Sequence, residues 1–321
     1  MTLFLLDLPQ QRISLEELCF SLTSCQHTFT EEIRDTYREL IQRFYEDHRK
    51  STPLQYDPDS NPIFTLDSFC SSGKRTFSLG SVEFKDYFAL RNLLYRTKED
   101  GRLLRQFVPL SMTATLETAD HFLVLGHRKG NHLSDRYLPP AGFLQYCSNI
   151  TSDYFRQKCA EEFSEELGID FNDVSYIGLT GDTRDSFLDT CTFYGQTSLT
   201  RAEVQKAWES RGAKDEHSHL IYIPSSLEAI SAFLHGTFTG EVNPSMNIHF
   251  ENGICISGPR EILGKRYQQI ENGVGAYAAF LSLSQPLAEV QSLLHSLASA
   301  GIIEGVVMKN INDEQPYLLS S

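Results

Sequence analysis

Residues 161–169 read EEFSEELGI, which places Glu161, Glu162, Glu165 and Glu166 within six positions. On a helix spanning Tyr154–Leu167, Phe155, Cys159, Phe163 and Leu167 step by four and share one side, so they are expected to face a core. Glu162, Glu165 and Glu166 then stand at i, i+3 and i+4 and gather on a neighbouring face. Like charges at that spacing oppose one another by a few tenths of a kcal/mol in water, and by more where water is excluded. A divalent cation would turn this repulsion into attraction, and carboxylate oxygens are the hard ligands that suit Mg²⁺ or Mn²⁺. The other reading of the same residues is a solvated acidic face. The spacing predicts a helix over about 153–167, closed by Gly168 as the left-handed residue after its end.

Working outward, the helix is preceded by LPPAGFLQ (138–145), which reads as a tight loop. That loop leaves HFLVLGHR (121–128), a short apolar run suited to a buried strand. After the helix, VSYIGLTGDTRDS and TCTFYGQTSL read as two strands joined by a polar turn. LTRAEVQKAWESRG reads as a helix and HLIYIP as a further strand. MNIHFENGICISG carries Asn252-Gly253 between alternating apolar residues, a hairpin signal. QQIENGVGAYAAFLSL and PLAEVQSLLHSLASAG read as helices, and IIEGVVMKNI as a last strand. In the first hundred residues, 30–50 and 82–97 have helical spacing and 52–62 is loop. Tyr87 and Phe88, at helical spacing, read as core. The N-terminal MTLFLLDLPQQRIS lacks a basic leader and reads as a first strand. The mixture is α+β around a mixed sheet.

The 321 residues are about 40% apolar and 22% charged, the balance of a globular chain with a substantial core. A formal net charge of −14 argues against general binding to nucleic acid or anionic membranes. It is compatible with a phosphate-bearing substrate, because a bound divalent cation supplies positive charge locally. The seven cysteines form no CxxC pair and read as reduced thiols of a cytoplasmic protein. No apolar run approaches the roughly 18 residues of a membrane span.

PPAGF followed by EEFSEELGI resembles the Nudix box, Gx5Ex7REUxEExGU with U aliphatic. Gly142 matches the leading glycine; Glu162, Phe163, Glu165, Glu166, Gly168 and Ile169 match the second half. The resemblance implies that Glu162, Glu165 and Glu166 are catalytic residues that hold metal, Mg²⁺ with Mn²⁺ as a substitute. Two positions depart from the box. Glu161 stands where the family has Arg, and the first-half acid is displaced: Asp153 keeps its distance from the second half, but ten residues rather than five follow Gly142. Asp153 also fits a helix N-cap or an early-turn acid. Between residues 70 and 225, the flanking segments are similar to the mammalian Nudix hydrolases that split UDP-glucose and UDP-galactose.

That resemblance implies a Nudix α/β/α sandwich with a mixed sheet. It divides the chain into an N-terminal α+β region at 1–105, a hydrolase domain at 106–285 with an inserted hairpin at about 236–260, and a C-terminal helical extension at 286–321. It also implies hydrolysis of the pyrophosphate of a nucleoside diphosphate sugar to UMP and a sugar 1-phosphate. The alternatives are another nucleoside diphosphate linked to a group X, such as ADP-ribose or NADH, and a ligand-binding or regulatory module. Metal would activate water, neutralise the phosphate oxygens and stabilise the leaving group. Glu216 matches a family glutamate that serves as general base or further ligand, and also fits an exposed loop acid. Arg128, which matches an arginine of the resembling proteins, and Arg184 are candidate bidentate phosphate partners; each also fits a surface arginine. His217 and His219, at alternate positions before a strand, read as surface or hydrogen-bonded residues rather than ligands. The hairpin is a candidate lid or dimer contact, which leaves a homodimer open.

Overall fold

Strand β5 (Leu110–Glu117) is buried at every position, and this sets the architecture. A strand covered on both faces needs a layer on each side. Leu110, Met112, Ala114 and Leu116 point to one core, while Ser111, Thr113, Thr115 and Glu117 alternate to the other face. The structure is a computed structural model that describes residues 2–26, 62–84, 86–87, 108–129, 136–182, 188–212, 217–243, 246–260, 262–266 and 271–308. The helix expected over 30–50, most of 82–97 including Phe88, and the loop 52–61 lie outside the described residues.

Among the described residues, β5 belongs to a twelve-stranded mixed sheet. Its members in chain order are β1 (Thr2–Asp7), β5, β6 (Phe122–Arg128), β7 (Tyr137–Leu138), β8 (Ala141–Phe143), β9 (Val174–Asp182), β10 (Asp189–Gln196), β11 (His217–Pro224), β12 (Thr239–Asn243), β13 (Met246–Glu251), β14 (Ile254–Ser257) and β15 (Gly305–Met308). In space the path runs β14-β13-β12-β11-β6-β5-β10-β9-β1-β15, with β7 on β6 and β8 on β5. The β1–β15 and β5–β10 pairs are parallel and the others antiparallel. A second sheet, β2 (Leu18–Gln26), β4 (Arg75–Val82) and β3 (Ile63–Cys70), packs into the same core as Leu110 and Met112.

Helix α1 (Ser152–Glu162) and helix α2 (Arg201–Arg211) cover one face of the large sheet. Helices α3 (Leu227–Leu234), α4 (Glu271–Leu281) and α5 (Leu287–Ser299) cover the other. The result is the α/β/α layering expected from the sequence. β1 is the first strand anticipated there, and β15 returns after α5 to pair with it. Asp7, at the end of β1, is buried and accepts hydrogen bonds from Arg75 of β4 and from the Tyr176 hydroxyl (3.0 Å), which ties the two sheets together. The β13–β14 hairpin turns at Asn252 (φ 51°) and Gly253 (φ 76°), a left-handed pair suited to a two-residue turn. Its tip rests on the end of α3, where the Gly253 N–H donates to the Gly236 carbonyl at 2.8 Å.

Segment 138–145, expected as a loop, carries the short strands β7 and β8. These wedge into the large sheet where β5 and β6 separate: Met112 pairs with Gly142, and Gly126 pairs with Leu138. The direct β5–β6 pairing is confined to the other end, at Glu117 and Leu123.

Candidate active site

Phe155, Cys159, Phe163 and Leu167 are fully buried, as the four-residue step requires. Each such side chain contributes roughly 1.5–3 kcal/mol through burial. Phe155 stacks on Phe20 with centroids 4.6 Å apart and lies 5.7 Å from Phe193. Because this face is fixed in the core, the positions of the glutamates are fixed with it.

The helix does not stay regular. α1 ends at Glu162, and Phe163–Leu167 form a π turn. The Gly168 N–H reaches the Ser164 carbonyl at 3.0 Å and the Ile169 N–H the Phe163 carbonyl at 3.1 Å, a Schellman-like cap widened by one residue. Gly168 is left-handed (φ 70°), and a Cβ there would lie 2.7 Å from the Ala207 carbonyl oxygen of α2. The turn thus needs glycine both for its backbone and for the approach of α2. A π turn advances less per residue than an α turn. Glu166 therefore stays on the inward side, only 3% exposed, while Glu165 is left exposed. Such single π turns are frequent at functional sites.

Glu166 meets the ends of two neighbouring strands. Its Oε1 lies 3.9 Å from Nη1 of Arg128, the last residue of β6. Its Oε2 lies 3.6 Å from Nε2 of His217, the first residue of β11 and the cross-strand partner of Arg128. Both distances exceed the hydrogen-bond range, so these contacts are electrostatic. Glu162, half-buried, lies against Gly142 of β8. A Cβ on Gly142 would stand 2.2 Å from Glu162 Oε1. Gly142 and Glu162, twenty residues apart in sequence, therefore meet in space.

Arg184 and Glu216 lie outside the described residues. Asp153 is exposed in the first turn of α1 and pairs with Arg156, so it acts as an early-turn acid. Glu161 is paired with Lys158 and accepts from Gln157 at 2.8 Å. Burial raises its pKa, but these two partners outweigh that and hold the carboxyl below its usual range. The charge at this departure from the box is thus neutralised from one turn earlier on the same helix. Tyr87 is fully buried, as expected of core.

One residue not singled out from the sequence adjoins Arg128. Arg136 is the backbone neighbour of Arg128, whose N–H donates to the Arg136 carbonyl at 2.9 Å. The Arg136 Nη1 is buried and makes no hydrogen bond. His217 is buried rather than on the surface. Its burial, followed by the nearby Arg128, His127 and Lys129, pushes its pKa down to about 3, so the ring is neutral.

His219 is buried on the opposite face of the sheet. It stacks on His127 (centroids 4.7 Å) and bonds to Ser218 Oγ at 2.8 Å and Tyr137 OH at 3.3 Å. Burial, then the charges of the stacked His127 and the nearby His217, brings its pKa to about 3. A histidine neutral in the fold but protonated when unfolded stabilises fully above its unfolded pKa, near 6.5, and progressively less as pH falls toward 3. Its contribution to the slope is about 1.4 kcal/mol per pH unit in that window. His219→Gln is therefore expected to flatten the pH dependence of urea-unfolding stability between pH 6 and 4 by up to that amount. An unchanged slope would show that His219 is not held neutral.

The carboxylates of Glu162, Glu165 and Glu166 are hard donors of the kind that hold Mg²⁺ or Mn²⁺. Glu162 and Glu166 project on the inward side of one turn, and the Gly142 cradle keeps a carboxylate where a methyl would displace it. Among the described residues, no three His, Cys, Asp or Glu side chains already converge as a finished ion site. Nor is any helix of the described residues long and apolar enough to cross a membrane.

No family model matches the chain, and no curated protein does. Among the solved structures to which it is similar are Nudix proteins. A MutT/nudix family protein from Enterococcus faecalis is 13% identical, with 67% of this chain and 86% of that chain covered and a TM-score of 0.33. A NUDIX hydrolase from Nitrosomonas europaea is 20% identical, covering 39% and 76%, with a TM-score of 0.30. The NUDIX domain of Shewanella oneidensis NrtR, complexed with ADP ribose, is 14% identical, covering 34% and 71%, with a TM-score of 0.26.

Proposed function

We propose that this protein is a Nudix-type, metal-dependent hydrolase of the pyrophosphate bond in nucleoside diphosphate sugars. Its preferred substrates are UDP-glucose and UDP-galactose, split to UMP and sugar 1-phosphate. The observation that carries this reading is the contact between Gly142 and Glu162, which gives the two halves of the box a shared spatial purpose. Glu162, Glu165 and Glu166 would hold Mg²⁺ or Mn²⁺, with Glu216 as a further ligand or base. The bound cation supplies activation of water and neutralisation of phosphate charge. Arg128 would support phosphate binding from the sheet side, with Arg184 the second candidate guanidinium. A guanidinium suits this role because its planar fork matches two phosphate oxygens at once. The uridine preference rests on the resemblance of the segments flanking the box.

The test is a substrate panel in Mg²⁺ comprising UDP-glucose, UDP-galactose, ADP-ribose and NADH, with products resolved by anion-exchange chromatography. Release of UMP and sugar 1-phosphate, abolished by chelator, is the expected result. Faster turnover of ADP-ribose or NADH would keep the chemistry and move the substrate. Binding of a nucleotide sugar with no turnover would favour a ligand-binding module.

A further inference from the structure

His217 is the most completely enclosed polar group beside the acidic turn. Its side chain has 0% exposure, and neither Nδ1 nor Nε2 makes a hydrogen bond. Leaving a buried nitrogen without a partner is costly, so such an arrangement calls for a reason. A second observation shows that the ring is seated deliberately. It presses against Gly126 of β6, where a Cβ would stand 2.1 Å from His217 Cδ2 and 2.3 Å from Nε2. Glycine inside a strand is itself destabilising and often marks a close approach. Here the approach is that of an imidazole whose Nε2 faces Glu166 Oε2 at 3.6 Å.

We infer that His217 is a positioning residue for Glu166: its Nε2–H donates to Oε2 when the site contracts by a few tenths of an ångström. That bond fixes the plane of the carboxylate, with Oε1 on the Arg128 side. Ligands of metal sites are commonly held this way by an outer hydrogen-bond partner. The inference rests on the reading of Glu166 as a metal ligand given above.

The experiment is a titration of the full-length protein with Mn²⁺ alone, with free Mn²⁺ read by electron paramagnetic resonance. Three variants are compared, each checked for thermal unfolding. His217→Gln keeps an N–H near the Nε2 position, His217→Asn keeps one only near Nδ1, and His217→Leu keeps volume without a donor. The expected result is wild-type affinity within about threefold for Gln and a loss of about 10–100-fold for Asn and Leu. Equal affinity in wild type and Leu, or equal loss in Gln and Leu, would overturn the inference. If wild-type protein binds no Mn²⁺, it is the metal reading of Glu166 that fails. The tautomer of His217, read in a long-range ¹H–¹⁵N spectrum, then decides its own role. A proton on Nε2 that depends on Glu166 retains the pairing, and a proton on Nδ1 removes it.

Discussion

Glu166→Gln is expected to lower kcat for the proposed pyrophosphate hydrolysis by about 10³-fold, the scale at which acid–base and metal-held groups act. The substitution preserves shape, so the Phe163 and Leu167 packing on either side of it stands, and the protein is expected to unfold near the wild-type temperature. What it removes is the negative charge buried at the inner side of the π turn, between Arg128 and His217. An amide nitrogen cannot ligate a hard cation, and an amide facing Arg128 offers it no counter-charge. Affinity for Mn²⁺ should fall together with kcat, while KM for the substrate changes less, because Arg128 remains in place. Steady-state release of nucleoside monophosphate in saturating Mg²⁺ measures this. Turnover in the variant within about tenfold of wild type would take Glu166 out of the chemistry. The same comparison separates an enzyme from a binding module, for which wild type and variant would be equally inactive.

The glutamates and their helix were legible because local rules govern them. A four-residue apolar step, a glycine at the helix end and an Asn-Gly hairpin each depend on neighbours within a few positions, and all three stand in the structure. The π turn was not legible. It arises where the Gly168 cap must fit against α2, some forty residues later in the chain. Its effect is to separate Glu165 from Glu166, which helical spacing alone treats as near equivalents. His217 was misread for a related reason. Strict alternation would put His217, His219 and Ile221 on one face of β11. A register shift between His217 and Leu220 breaks that alternation, sending His217 toward Glu166 while His219 joins Tyr137 on the far side. The one available sign was Gly126 inside an otherwise bulky strand, since a missing side chain in a buried strand implies that something else occupies the space. The second sheet and the parallel β5–β10 pair depend on contacts far apart in sequence, which no local pattern records.

Gly142→Ala tests the spatial logic of the box by adding a single methyl group. Its Cβ would lie 2.2 Å from Glu162 Oε1 and 2.9 Å from Cδ, and no backbone atom is among its nearest contacts. The far end of a half-exposed glutamate can swing aside cheaply, so the fold should tolerate the change with little loss of thermal stability. The carboxylate, however, cannot remain where it is. A ligand displaced by about an ångström costs on the order of 10²-fold in rate, because the reacting groups no longer meet in the required geometry. The expected result is a variant that unfolds like wild type, binds Mn²⁺ at least about tenfold more weakly and has lost about 10²-fold in kcat. Gly126→Ala supplies the contrast. There the obstructing group is the buried ring of His217, which has no solvent to retreat into, so overpacking of about 1–3 kcal/mol should appear as lost stability as well as lost activity. If Gly142→Ala instead unfolds early while its metal affinity is unchanged, the glycine serves the β5–β8 pairing and not the placement of Glu162. If it changes neither, the contact between Gly142 and Glu162 is incidental and the proposed active site loses its main support.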